Sequence, residues 1–144
     1  VPMVDSIDLV QTGLSHLLKN SDVVVSCAPH TKVSQGMFGA AEFAQMKKGS
    51  YFINVSRGKL VKTAELMDSC RAGKFAGVGL DVTDPEPLPK NHPLWDLPNV
   101  VITPHIAGQS QFAVKRTTGV FVENVRRFAN GLPLLNVVDK VKGY

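Results

Sequence analysis

Short apolar runs recur along the chain, separated by polar segments that carry glycine or proline, and the spacing of the apolar positions alternates between two periods. Val23-Val24-Val25-Ser26-Cys27-Ala28 is a continuous run closed by Pro29, the pattern of a strand covered on both faces. Tyr51-Phe52-Ile53-Asn54-Val55 is opened by Gly49 and closed near Gly58. Gly77-Val78-Gly79-Leu80 predicts a third strand, and Val100-Val101-Ile102 a fourth, announced by the turn Leu97-Pro98-Asn99. Between the runs the spacing turns helical. Leu14, Leu17 and Leu18 predict a helix over 13–19 with Thr12 before it, and 40–46 predicts a short one. Leu66 and Cys70 share one face of a helix over 64–72, with Thr63 as cap, Glu65 in the first turn and Gly73 as stop. A long helix is expected from a Ser110 cap to Asn130. Val114, Phe121, Val125 and Phe128 form its apolar stripe, and Gly131 and Pro133 end it.

Strand and helix in alternation imply an α/β fold of parallel βαβ units with right-handed crossovers. Open parallel sheets bind ligands beyond the carboxyl ends of their strands. By that rule Ala28-Pro29, Ser56-Arg57, Asp81 and His105, each just past a strand, are expected to line one crevice.

Composition narrows the function classes. The 144 residues are 44% hydrophobic and 19% charged, enough apolar material for a core. No apolar stretch approaches the roughly 20 residues a membrane helix needs, so no membrane partner is expected. The first residues lack the basic start and apolar middle of a secretory signal. Cys27 and Cys70 lie far apart without metal-ligand spacing, so a reduced, cytoplasmic protein without a metal is expected. Lys and Arg number 16 against 12 Asp and Glu, a net charge of +4. The basic residues are scattered, densest at Lys47-Lys48, Arg126-Arg127 and Lys140/Lys142, without interleaved aromatics. They read as solvated faces and not as a nucleic-acid surface.

The candidate chemistry lies in three side chains. Arg57 follows the run INVS and precedes Gly58, and its planar fork suits a carboxylate held bidentately. Glu86 sits in Asp84-Pro85-Glu86-Pro87, where two prolines restrict the backbone. His105 ends the apolar run in NVVITPHIAGQ. A carboxylate beside a histidine fixes one tautomer and favours the cation, which donates a proton to a nearby carbonyl oxygen. Together the three match reduction of a 2-oxo acid: Arg57 grips the carboxylate, His105 protonates the oxygen, and Glu86 tunes His105. A hydride requires a cofactor.

INVSRGKLV, GVGLDVTDPEPLP and HPLWDLPNVVITPHIAG, in this order, resemble the NAD-binding domain of the D-isomer-specific 2-hydroxyacid dehydrogenases. The likeness is strongest to their glyoxylate/hydroxypyruvate reductase branch and runs from about Asp8 to Val137. The resemblance implies a Rossmann-type parallel sheet and places the family's catalytic arginine, glutamate and histidine on Arg57, Glu86 and His105. It places cofactor contacts on Ala28, Pro29, Val55, Ser56 and Arg57. Asp81 would meet the nicotinamide carboxamide, with His105, Ala107 and Gly108 beside it. The resemblance also implies NAD or NADP as cofactor, a small 2-oxo or 2-hydroxy acid as substrate, and a homodimer. Trp95 stands where related enzymes reach a partner's pocket, or it packs locally. Formate dehydrogenases carry glutamine where this chain has Glu86, which disfavours that branch.

The departures from the family pattern are at its start. The Gly-x-Gly-x-x-Gly turn that cradles a pyrophosphate is absent, and Gly73, Gly77 and Gly79 precede a strand and open no helix. The residue that separates NAD from NADP and the substrate domain are absent too. The chain therefore reads as the C-terminal half of the domain. Residues 1–109 form its back part, and 110–144 a long helix and tail returning toward a substrate domain. On that reading the 23–28 run is an interior strand whose neighbour lies outside the chain, and the chain alone cannot bind a dinucleotide productively. Two other functions share the pattern: a nucleotide-sensing, corepressor-like binding module acting on protein partners, and an inactive fragment.

Overall fold

Alternate side chains of a strand point to opposite faces, so a sheet packed on one side buries every second residue. The computed structural model, which describes residues 3–141, shows that pattern. Its elements are α1 (Val10–Asn20), β1 (Val23–Ser26), α2 (Ala40–Gln45), β2 (Ser50–Asn54), α3 (Thr63–Arg71), β3 (Phe75–Leu80), β4 (Val100–Ile102) and α4 (Ala113–Ala129). Short 3-10 turns cover Gly58–Leu60 and Pro93–Asp96. The chain divides into two compact units, Val1–Pro104 and His105–Tyr144.

The first unit is a sheet of four parallel strands in the order β1-β2-β3-β4. Val24, Phe52, Val78 and Leu80 point to the covered face, where Leu18 of α1, Phe43 of α2 and Leu66 of α3 join them in one core. Phe43 meets Phe52 and Phe75 edge-on, with ring centroids 5.3 and 5.5 Å apart. Burying each such ring stabilises the fold by roughly 1.5–3 kcal/mol. The α/β expectation holds, with all pairings parallel.

The first strand departs from expectation. β1 ends at Ser26, leaving Cys27 and Ala28 beyond it, and only Val24 and Ser26 are buried. Val23 and Val25 are half exposed, as are Tyr51 and Val101. Among the described residues β1 is an edge strand with one open face. An apolar run signals burial on two faces only when both coverings exist, and among the described residues only one is present.

Helix starts also shifted. Thr12 lies inside α1, its hydroxyl donating to the Leu9 carbonyl. Thr63 does not cap α3; its hydroxyl donates to the Asp84 carbonyl, tying the helix start to the loop after β3. Glu65 instead accepts from the Ala40 amide at the start of α2, and that amide holds its carboxyl below the usual carboxylate range. Ser110 accepts from the Phe112 amide in the turn before α4, which begins at Ala113.

The second unit is α4 and the segment that follows. Asn124 clamps that segment by donating to the Leu135 carbonyl and accepting from its amide, at 3.1 and 2.7 Å. Arg127 donates to the Pro133 carbonyl at 2.9 Å. Glu123 bonds both Arg126 and Arg127. The predicted stripe Val114, Phe121, Val125 and Phe128 is exposed. Among the described residues no helix is long and apolar enough to cross a membrane.

Candidate active site

The end of β2 is organised by one fully buried amide. Asn54 Oδ1 accepts from the Ser56 amide at 3.1 Å and from the Ser56 hydroxyl at 2.9 Å, and its Nδ2 donates to the Arg57 carbonyl at 3.0 Å. Ser56 Oγ lies 3.1 Å from Ser26 Oγ at the end of β1. Buried polar groups hydrogen-bonded in this way specify one local geometry. The turn therefore presents Arg57 outward, with Nη1 donating to the Ser56 carbonyl at 2.7 Å.

Gly58 comes next, and its lack of a side chain is a requirement. A Cβ there would lie 1.9 Å from the Thr83 carbonyl oxygen and 2.7 Å from the Asp84 nitrogen. The β2 turn and the loop after β3 are thus in direct backbone contact. Thr83 donates from its hydroxyl to the Pro85 carbonyl at 2.8 Å and from its amide to Glu86 Oε2 at 3.4 Å. The two loops frame a cleft of about 480 Å³ whose lining includes Arg57, Lys59, Glu86 and His30. Arg57 and Glu86, distant in sequence, share its wall.

The other candidates of this unit sit around the same strand ends. Ala28 and Pro29 form the loop after β1, Ala28 half-buried and Pro29 exposed. Val55 is partly exposed beyond β2, and Ser56 is buried. Asp81 is buried at the end of β3, its Oδ1 accepting from the Thr103 hydroxyl of the neighbouring strand end at 2.5 Å. A carboxylate has about four acceptor positions, so a buried Asp81 suits the N–H groups of a carboxamide. The residues present fit the nicotinamide end of a dinucleotide, whereas no glycine turn among the described residues fits the pyrophosphate.

His105, Ala107 and Gly108 open the second unit, all exposed. His105 has φ of 55°, in the left-handed region that few non-glycine residues occupy. Trp95 is half exposed, with its indole N–H donating to the Pro89 carbonyl at 2.9 Å.

Two residues at this edge escape a reading by period. Asn54 sits in an apolar run, where a lone polar residue on the buried face is the available signal. His30 lies on the cleft wall with Nε2 buried and without a hydrogen-bond partner among the described residues. Its only sequence signal is its place directly after Pro29 at a strand end.

Comparison with known proteins decides the family. The family description "D-isomer specific 2-hydroxyacid dehydrogenase, NAD binding domain" matches residues 4–107. The chain belongs to this family. It is 41% identical over 108 residues to the human glyoxylate reductase/hydroxypyruvate reductase, covering 75% of this chain and 33% of that protein. It is 37% identical over 132 residues to the barley mitochondrial formate dehydrogenase, covering 90% of this chain and 35% of that enzyme. An NADPH-dependent glyoxylate/hydroxypyruvate reductase of Sinorhizobium meliloti, solved with NADP and sulfate, superposes with a TM-score of 0.84 at 37% identity. That match covers 92% of this chain and 43% of the other. The chain thus spans less than half the length of these relatives. As a member of this dehydrogenase family it carries an NAD-binding domain of Rossmann type, the fold expected from its motifs.

Proposed function

We propose that the intact protein reduces a short 2-oxo acid, glyoxylate or hydroxypyruvate, to the D-2-hydroxy acid with NAD(P)H. The observation that carries this reading is the cleft shared by Arg57 and Glu86 on an NAD-binding domain of this family. Arg57 holds the substrate carboxylate and polarises the adjacent carbonyl. His105 donates its proton to the carbonyl oxygen, which becomes the hydroxyl, and returns to neutral imidazole. Glu86 favours the charged, donating form of that histidine. When bound, the dinucleotide supplies the hydride that converts the carbonyl carbon to C–H. Its contacts are assigned to Ala28, Pro29, Val55, Ser56, Arg57, Asp81, His105, Ala107 and Gly108. The left-handed φ of His105 supports its role, because backbone strain persists where surrounding structure enforces it and clusters at active sites.

Formate dehydrogenase is the competing dehydrogenase reading, given the barley relative. Glu86 favours the reductase, since its proposed role toward His105 serves proton donation and formate oxidation has no alkoxide to protonate. The protein is taken to act as a cytoplasmic homodimer, for which the exposed stripe on α4 offers apolar surface. The test is NADPH oxidation by the intact protein with glyoxylate and hydroxypyruvate. Turnover of either supports the proposal; turnover of formate alone with NAD refutes it, as does binding of the dinucleotide without turnover of any acid.

A further inference from the structure

A buried polar nitrogen without a partner is costly. Leaving one unsatisfied forfeits roughly 1–3 kcal/mol, so native structures retain such groups where a ligand, ion or water completes them. His30 Nε2 is shielded from solvent and has no hydrogen-bond partner among the described residues. His30 is among the residues that line the cleft of Arg57 and Glu86.

The backbone beside it is held firmly. Ser34 Oγ donates to the Pro29 carbonyl at 2.6 Å and accepts from the Thr31 amide at 2.8 Å. Thr31 Oγ1 accepts from the amides of Val33 and Ser34 at 3.2 and 3.1 Å. Every polar group on either side of His30 in this loop that these bonds reach is satisfied, and the imidazole nitrogen is the exception. The imbalance is local to one atom of a residue that lines a ligand-sized space. Arg57 and Lys59, which share the wall, are long and exposed.

We propose that His30 is a specificity-determining residue of the cleft, with Nε2 hydrogen-bonding a hydroxyl on C3 of the 2-oxo acid. This rests on the reaction proposed above. A hydroxyl is favoured over a second carboxylate because it both donates and accepts, so it satisfies an imidazole nitrogen in either tautomer. The substrate carboxylate already has Arg57. Hydroxypyruvate carries the C3 hydroxyl, and pyruvate differs from it by that oxygen alone.

The experiment compares kcat/KM for hydroxypyruvate and pyruvate in the intact protein, His30→Leu and His30→Gln. In His30→Leu the ratio of hydroxypyruvate to pyruvate falls about tenfold, the scale of one lost buried hydrogen bond. In His30→Gln, whose amide reaches about as far as Nε2, the ratio recovers. His30→Leu unfolds at a temperature no lower than wild type, because it removes an unpaired nitrogen. A ratio within about twofold of wild type in His30→Leu overturns the proposal, as does a clear drop in its unfolding temperature, which would mark a structural histidine. If no 2-oxo acid is turned over, the reading of the reaction fails, and NMR titrations with D-glycerate and D-lactate decide for His30 separately. Loss of the D-glycerate preference in His30→Leu sustains the hydrogen bond, and an unchanged preference overturns it.

Discussion

Substituting Gly58 by alanine puts one methyl group where the backbone of the loop after β3 already lies. The new Cβ would stand 1.9 Å from the Thr83 oxygen, 2.1 Å from its carbonyl carbon and 2.7 Å from the Asp84 nitrogen, whereas real Cβ contacts essentially never fall below 3.0 Å. The two loops must therefore part by about 1 Å or more. None of the three obstructing atoms belongs to a side chain that can swing away. Relief is resisted on both sides: Asn54 holds the Arg57 carbonyl, Leu60 is fully buried, and Thr63 holds the Asp84 carbonyl. Overpacking of this kind costs about 1–3 kcal/mol.

The catalytic consequence is larger than the stability loss suggests. The displaced segments are those that carry Arg57 and Glu86, and a misplacement of about 1 Å costs on the order of 10²-fold in rate. Gly58→Ala should thus lower the urea midpoint and reduce kcat/KM about a hundredfold, with the fold retained by circular dichroism. Gly119→Ala is the contrasting variant. Gly119 lies within α4 with nothing within 4 Å of an added Cβ, so alanine there should stabilise by about 0.5–1 kcal/mol. If Gly58→Ala leaves both the midpoint and kcat/KM unchanged, the contact between the two loops does not set the cleft.

Three further outcomes follow from single residues. His105→Asn, which tolerates the left-handed backbone, should keep cofactor affinity while kcat falls by about 10²–10⁴; an unchanged kcat removes His105 from the chemistry. Burial pushes the Cys70 thiol up to about 11, so mass-spectrometric mapping of thiol labelling at pH 8 should find exposed Cys27 modified and Cys70 protected until unfolding. Because Cys70 ionises from 9.0 when unfolded, its contribution to stability is complete below that pH and is lost on going up toward 11, and rapid native labelling of Cys70 would contradict its burial. Hydrogen bonds from Arg126 and Arg127 hold the Glu123 carboxyl down at about 2, against an ordinary 4.5. Its stabilising effect is therefore present above 4.5 and lost as pH falls through about 2; a carboxyl NMR titration with a midpoint above 4 would refute the ion-pair geometry.

The strands were legible because their signal is local: β4 begins and ends where its apolar run does, and β2 and β3 differ from their runs by one or two residues. What was misread depends on partners that a period cannot reveal. The Val23 run has the composition of a doubly covered strand, yet Val23 and Val25 are half exposed. Thr63 has the chemistry of a helix cap, but the Asp84 carbonyl claims its hydroxyl. His30 and Asn54 carry no distinguishing spacing, and their importance lies in one missing partner and three satisfied ones.

The meeting of Arg57 and Glu86 is a different case, because topology alone leads most of the way to it. β2 and β3 are parallel neighbours with Asn54 opposite Leu80, so equal steps beyond the two strand ends keep the chains side by side. Three residues on, Arg57 is level with Thr83, and Gly58 lets the backbones touch there. Thr83 then turns the chain back through its bond to the Pro85 carbonyl, and Glu86 comes round to the cleft. Parallel pairing puts both loops at the same edge of the sheet, while an antiparallel pair would have sent them to opposite ends. The chemistry of this edge follows from strand direction first and from side-chain identity second.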